Sequence, residues 1–177
     1  MILVVAATQR ELAGADGADV LACGIGPVEA AVATARALAE RAPSAVLHVG
    51  IAGARGLEVP QLVIGSEAVY EDAAGGALVR ARVAADPALL ERARRVLPDA
   101  RVLAIGTSAR VGGTSGCAVE AMEGFAVLRA AEAAGIPAVE VRAISNDVDE
   151  PDRGRWRFDD ALVALAGALP RLLAGLS

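Results

Sequence analysis

Apolar runs of strand length alternate with alanine-rich helical stretches along this whole chain, and that alternation leaves few folds open. The strand-like runs are 1–7, 18–23, 44–49, 62–70, 77–83, 101–106 and 137–145. Helical patterns occupy 27–41, 86–97, 120–134 and about 159–173. Pro27 opens the first helix just after Gly26, because proline is preset for the first helical position. Asp86-Pro87 supplies an N-cap and then a proline in the same way. Gly75-Gly76 reads as a turn between 62–70 and 77–83. Strands interleaved with helices imply an α/β domain with a mixed, mostly parallel sheet and helices on its faces. At 177 residues, 1–177 reads as a single domain with a full core.

Composition narrows the function. Hydrophobic residues make up 55% of the chain and aromatics only 2%, so the core is built from Ala, Val, Leu and Ile. No apolar run reaches membrane-spanning length, and Met1 to Thr8 reads as a first strand rather than a signal peptide. Cys23 and Cys117 are too few for a disulfide framework, which points to a cytoplasmic protein. A net charge of −5 argues against a nucleic-acid surface. All 17 basic residues are arginine. Without lysine there is no Walker-type phosphate lysine and no Schiff base. One His and two Cys leave little for a structural zinc site or a His-based triad.

Polar residues at the ends of apolar elements mark a small-molecule site. Val139 to Asn146 begins as a buried strand and leaves it carrying Arg142, Ser145 and Asn146. The carboxyl ends of strands are where open α/β sheets bind ligands. Glu11 follows the first strand, and Met122-Glu123 opens an otherwise apolar helix. Each has a plainer reading. Glu11 and Glu123 suit a helix N-terminus, where the dipole favours a carboxylate. Arg142, if buried, needs an acid, and Glu140 or Glu11 would serve. Asn146 suits a turn. Gly24-Ile25-Gly26-Pro27 reads either as an anion-cradling turn or as a tight strand-to-helix connection. Gly50 to Ala54, with Ile51, Ala52 and Gly53, reads as a turn whose small residues admit a flat ligand, or simply as a turn. His48 reads as a core histidine, and Trp156 as a cover at the core edge beside Phe158.

Taken together, these segments resemble the nucleoside phosphorylase and nucleosidase superfamily, in its hydrolase branch. The resemblance rests on Ala6 to Leu12, Gly24 to Ala31, Val49 to Gly53, Val119 to Gly124 and Val141 to Asn146. Each motif is weak alone; five in the right order are specific. Within that branch the chain looks most like the futalosine hydrolases, on Ile144-Ser145-Asn146 followed by Asp152-Arg153 and Trp156. Methylthioadenosine and adenosylhomocysteine nucleosidases carry Asp where Asn146 stands. The resemblance implies a three-layer α/β/α sandwich, trimmed at residues 13–22, and a homodimer or larger homo-oligomer. It implies cleavage of a purine nucleoside, releasing hypoxanthine from futalosine in menaquinone biosynthesis, with no metal or organic cofactor. Alternatives are another 6-oxopurine nucleosidase or phosphorylase, or a trimmed nucleoside-binding protein without catalysis.

Residue by residue, the resemblance makes Glu11 the carboxylate that activates water and Glu123 the grip on the ribose hydroxyls. Met122 would line the sugar, Ala52 and Gly53 would border sugar and base, and Arg142 would pair with the acid near the nucleophile. Ile51 stands where a small hydroxyl residue is common, and Asn146 would read the base. The aromatic that many relatives place under the base near 107–111 is missing. For assembly, the apolar residues of 62–70 and of the 120–134 helix are the expected contact between copies.

Overall fold

The computed structural model describes residues 1–112 and 116–177. Among them are eight strands: β1 (Ile2–Ala6), β2 (Asp19–Ala22), β3 (Ala45–Ala54), β4 (Leu62–Tyr70), β5 (Arg82–Ala84), β6 (Arg101–Thr107), β7 (Val119–Ala121) and β8 (Ala138–Asp147). Four helices accompany them: α1 (Pro27–Arg41), α2 (Pro87–Val96), α3 (Gly124–Ala133) and α4 (Phe158–Leu176). The sheet order is β2-β1-β3-β7-β6-β4-β5, and β8 pairs with both β3 and β4. Parallel ladders join β1 to β2 and β3, β3 to β8, β4 to β6, and β6 to β7. The other ladders are antiparallel. The α/β class with a mostly parallel sheet is therefore as expected. The pairings add a closure that periodicity cannot show: β3, β8, β4, β6 and β7 form a ring of hydrogen-bonded neighbours.

Alternate residues of the strands feed two apolar layers. Val4, Leu47, Val49, Val139 and Val141 pack against Leu89 and Ala93 of α2 and Leu165, Leu169 and Leu172 of α4. Leu3, Val5 and Val46 pack against Ala30, Ala37 and Leu38 of α1 and Val127, Leu128 and Ala131 of α3. With side chains alternating across each strand, this makes the three layers. The Asp86 carboxylate accepts from the Ala88 and Leu89 amides at 3.0 Å, so it caps α2 as its sequence suggests.

Three expectations need correction. Gly50 to Ala54 is not a turn: β3 runs through it, and Gly50 to Ala52 pair in register with Arg142 to Ile144. The 120–134 stretch is not one helix, because β7 takes Val119–Ala121 and α3 starts at Gly124. The 77–83 run forms a 3-10 turn at Gly76–Leu78 and only the short β5. Most apolar side chains of the two segments expected at a contact between copies are covered by the chain itself. Strand 62–70 is flanked by β6 and β8 inside the sheet, and Ala126, Val127, Leu128 and Ala131 of α3 are buried in the chain's own core. The exposed apolar side chains are elsewhere, with Ile25 62%, Val28 71% and Val32 66% exposed at the start of α1.

Candidate active site

One cavity of about 540 Å³ opens at the carboxyl ends of β1, β3 and β8. Glu11, Ile51, Ala52, Gly53, Met122, Glu123 and Asn146 all line it. Its size is within the range usual for small-molecule sites, roughly 300–1,000 Å³.

Glu11 arrives from a single 3-10 turn, Gln9–Leu12, that follows β1. Thr8 and Glu11 form a capping box, a reciprocal arrangement that locks the turn. Glu11 Oε2 accepts from the Thr8 amide at 2.9 Å and the Thr8 hydroxyl at 2.8 Å, while Oε1 accepts from the Ile51 amide at 3.0 Å. A carboxylate offers about four lone-pair sites. Three are used here, and the open one lies on Oε1.

Glu123 is the N-cap residue of α3 and is buried. Its Oε1 accepts from the Gly26 amide at 3.0 Å. That amide comes from the Gly24-to-Pro27 turn, where Gly26 has φ +94°, a conformation that favours glycine. The amide thus serves a protein carboxylate, which opposes the reading of the turn as a cradle for a free anion. Glu123 Oε2 faces Arg142 Nη2 at 3.6 Å. Burial, opposed by Arg142, pushes the Glu123 carboxyl above the ordinary carboxylate range.

Asn146 stands near the end of β8. Its Oδ1 accepts from the Ser145 hydroxyl at 2.8 Å, and its Nδ2 donates to the Asp147 carbonyl at 3.0 Å. One amide hydrogen and one lone pair remain for a ligand.

Arg142 departs from expectation. It is fully buried and does not line the cavity, so it stands behind the site instead of touching a substrate. Its acids are Glu140, at 2.7 Å, and Glu123. Its guanidinium lies over Gly50, where a Cβ would sit 2.2 Å from Nη1 and 2.7 Å from Glu11 Oε1. Gly50 is thus the gap that lets Arg142 and Glu11 converge.

The cavity also recruits residues that the sequence reading did not place at the site. Trp156 and Phe158 are its only aromatic rings among the described residues, with centroids 5.4 Å apart. They come from after β8, not from 107–111. Trp156 is fixed by its indole N–H donating to the Glu150 carbonyl at 3.1 Å. Glu120 of β7 is a further buried acid at the wall and accepts from the Gly112 amide. The period-2 pattern of Val119-Glu120-Ala121 is the only sequence signal for it, and three residues are too few to be heard. Cys23 and Cys117 are buried free thiols, consistent with small hydrophobes. No helix among the described residues is long and apolar enough to cross a membrane.

With this geometry in hand, comparison with known proteins is specific. A profile of the Phosphorylase superfamily matches residues 12–118. The futalosine hydrolase of Streptomyces coelicolor is 36% identical over 89% of this chain and 79% of its own length. Among solved structures, a methylthioadenosine/adenosylhomocysteine nucleosidase from Colwellia psychrerythraea in complex with adenine superposes with a TM-score of 0.87. It is 21% identical, and the match covers 99% of this chain and 95% of that one. Native futalosine hydrolase of Helicobacter pylori gives the same TM-score at 16% identity, covering 98% of this chain and 97% of that one. The structural likenesses establish the fold, and the sequence match establishes the family: this chain belongs to the Phosphorylase superfamily and, within it, to the futalosine hydrolases.

Proposed function

We infer that the protein hydrolyses the N-glycosidic bond of futalosine, releasing hypoxanthine and dehypoxanthine futalosine, a step of menaquinone biosynthesis. The observation that carries this reading is the convergence of Glu11, Glu123 and Asn146 on one cavity in a chain of this family.

Cleavage of an N-glycosidic bond builds positive charge on the sugar, releases the base and delivers water to the anomeric carbon. Glu11 acts as general base through the open lone pair on Oε1, a contribution of roughly 10²–10⁴-fold. The Thr8 and Ile51 donors hold that carboxylate in one orientation. Glu123 grips the vicinal ribose hydroxyls with its remaining lone pairs, and this fixes the sugar against Glu11. Met122, Ile51, Ala52 and Gly53 form the close walls around sugar and base. Asn146 presents its spare N–H to O6 and its spare lone pair to the proton on N1. That combination suits the 6-oxopurine of futalosine. Trp156 and Phe158 offer the flat apolar surfaces that the 107–111 segment lacks.

Phosphorolysis is the weaker reading. Of the cations a phosphate cradle would draw on, Arg142, Arg55 and Arg110 do not line the cavity. The arginines that do are Arg10, paired with Asp159 at 2.8 Å, and Arg153, which lies over the Trp156 ring at 5.5 Å. The protein acts as a homodimer in the cytoplasm on this reading, with the Ile25–Val28–Val32 face at the contact. A panel of futalosine, inosine and methylthioadenosine tests the substrate. Hypoxanthine should be released fastest from futalosine, and adenine from methylthioadenosine least. A preference for methylthioadenosine would overturn the assignment.

A further inference from the structure

Behind the sugar-gripping carboxylate lies a buried polar cluster that the reaction outlined above does not use. Glu140 and Arg142 sit two apart on β8, so their side chains share a face. In the parallel register with β3, His48 stands beside Glu140 and Gly50 beside Arg142. All three side chains are fully buried. Arg142 Nε donates to Glu140 Oε1 at 2.7 Å, Nη2 to His48 Nε2 at 2.5 Å, and Nη1 to the Ile51 carbonyl at 3.4 Å. His48 Nδ1 lies 2.9 Å from the Val5 carbonyl, so that nitrogen carries the proton and Nε2 is the acceptor. Burial and the facing guanidinium push the His48 imidazole well below its ordinary range, and it stays neutral. The guanidinium is thereby pinned on three sides, and Glu123 receives only its longer 3.6 Å contact. Glu140 Oε2 has no hydrogen-bond partner among the described residues, and a Cβ on Gly124 would lie 2.4 Å from it.

We propose that Glu140 and His48 are positioning residues that act through Arg142 on Glu123, holding the guanidinium back so that the Glu123 carboxylate remains free to grip the sugar. Glu140 and Glu123 then compete for one cation, with Glu11 a third carboxylate facing it. The other groups around Glu123 are Glu11 from the turn after β1 and Cys23 after β2. The Cys23 thiol is pushed up to about 12, chiefly by burial and then by Glu123, so it is uncharged over the working range. Glu140 is thus the competitor that determines how much of Arg142's charge reaches Glu123. Removing its charge leaves Arg142 to Glu123 and, over Gly50, Glu11. The Glu123 carboxylate should then persist to lower pH, and its contact with Arg142 should tighten.

This rests on Glu123 holding the sugar of the proposed substrate, so two readouts are needed. The first is a ¹³C titration of glutamate carboxyls in the ligand-free protein, with Glu123 identified by its loss in Glu123→Gln. The second is the acid limb of kcat/KM on futalosine. Glu140→Gln should lower both midpoints by about one pH unit, the small end of what a charge within a few ångströms does. His48→Leu removes the acceptor on Nη2 and should shift them the same way, whereas His48→Gln keeps an acceptor and should leave them near wild type. If Glu140→Gln does not fold, the His48 pair decides. A Glu123 midpoint unmoved in the folded charge or acceptor variants overturns the proposal. So does a midpoint that moves while the acid limb stays fixed. A midpoint that moves in a protein inactive on futalosine supports the coupling and refutes the substrate assignment instead.

Discussion

The site turns on single atoms at Gly50 and Asn146. Gly50 carries no chemistry, yet a methyl there would intrude on both Arg142 and Glu11. Gly50→Ala should therefore reduce kcat/KM by about 10²-fold or more, since misplacing catalytic groups by about 1 Å costs that much. It should also destabilise the fold by about 1–3 kcal/mol through overpacking. Steady-state kinetics beside thermal melts test this, and near-normal activity would mean that Glu11 and Arg142 need not converge. Asn146 is the sharper case. In the pose that pairs O6 and the N1 proton, a 6-aminopurine would set its amino group against the Asn146 N–H and leave a buried polar group unpaired, which costs about 1–3 kcal/mol, or roughly a factor of 5–150. Asn146→Asp should relax that preference, because an acid can donate to N7 when protonated and accept from a 6-amino group when ionised. The measurement is the ratio of kcat/KM for futalosine and methylthioadenosine in both proteins. An unchanged ratio would show that Asn146 does not read the base.

At the scale of elements, the sequence resolved what periodicity and caps encode. The bounds of α1 and β4 follow from Pro27, the flanking turns and the apolar runs themselves. Asp86 was legible because a cap needs only one residue type in one place. Asp86→Ala should cost about 1 kcal/mol, seen as a lower denaturant midpoint with unchanged slope; no loss would mean that its two bonds to the helix amides are replaced by water. Elsewhere the local signal misled. Glycines at 50 and 53 look like a turn because turns favour glycine, but here they are strand positions kept bare for Arg142 and Asn146. β7 is too short to show a period, so its residues were absorbed into the following helix. Seven of the eight residues expected at the site line one cavity because strand ends converge. Arg142 alone was misplaced, since no sequence pattern tells the wall of a cavity from the layer behind it.

For the whole molecule, the sheet and the two helical layers bring the carboxyl ends of β1, β3 and β8 together at one opening. The exposed apolar face at the start of α1 adjoins that opening, since Ile25 belongs to both. If copies meet there, light scattering at micromolar concentration should give a dimer, and Val28→Glu with Val32→Glu should give a monomer. A monomeric wild type would remove assembly from the account. The central claim is that water, activated by Glu11, is the nucleophile. Its most direct test is single turnover of futalosine in ¹⁸O-labelled water containing phosphate, with wild type and Glu11→Gln side by side. Wild type should release hypoxanthine and a sugar carrying one labelled oxygen at C1′, with no sugar 1-phosphate, and Glu11→Gln should be slower by at least about 10²-fold. A phosphorylated sugar, or near-normal turnover by Glu11→Gln, would contradict it.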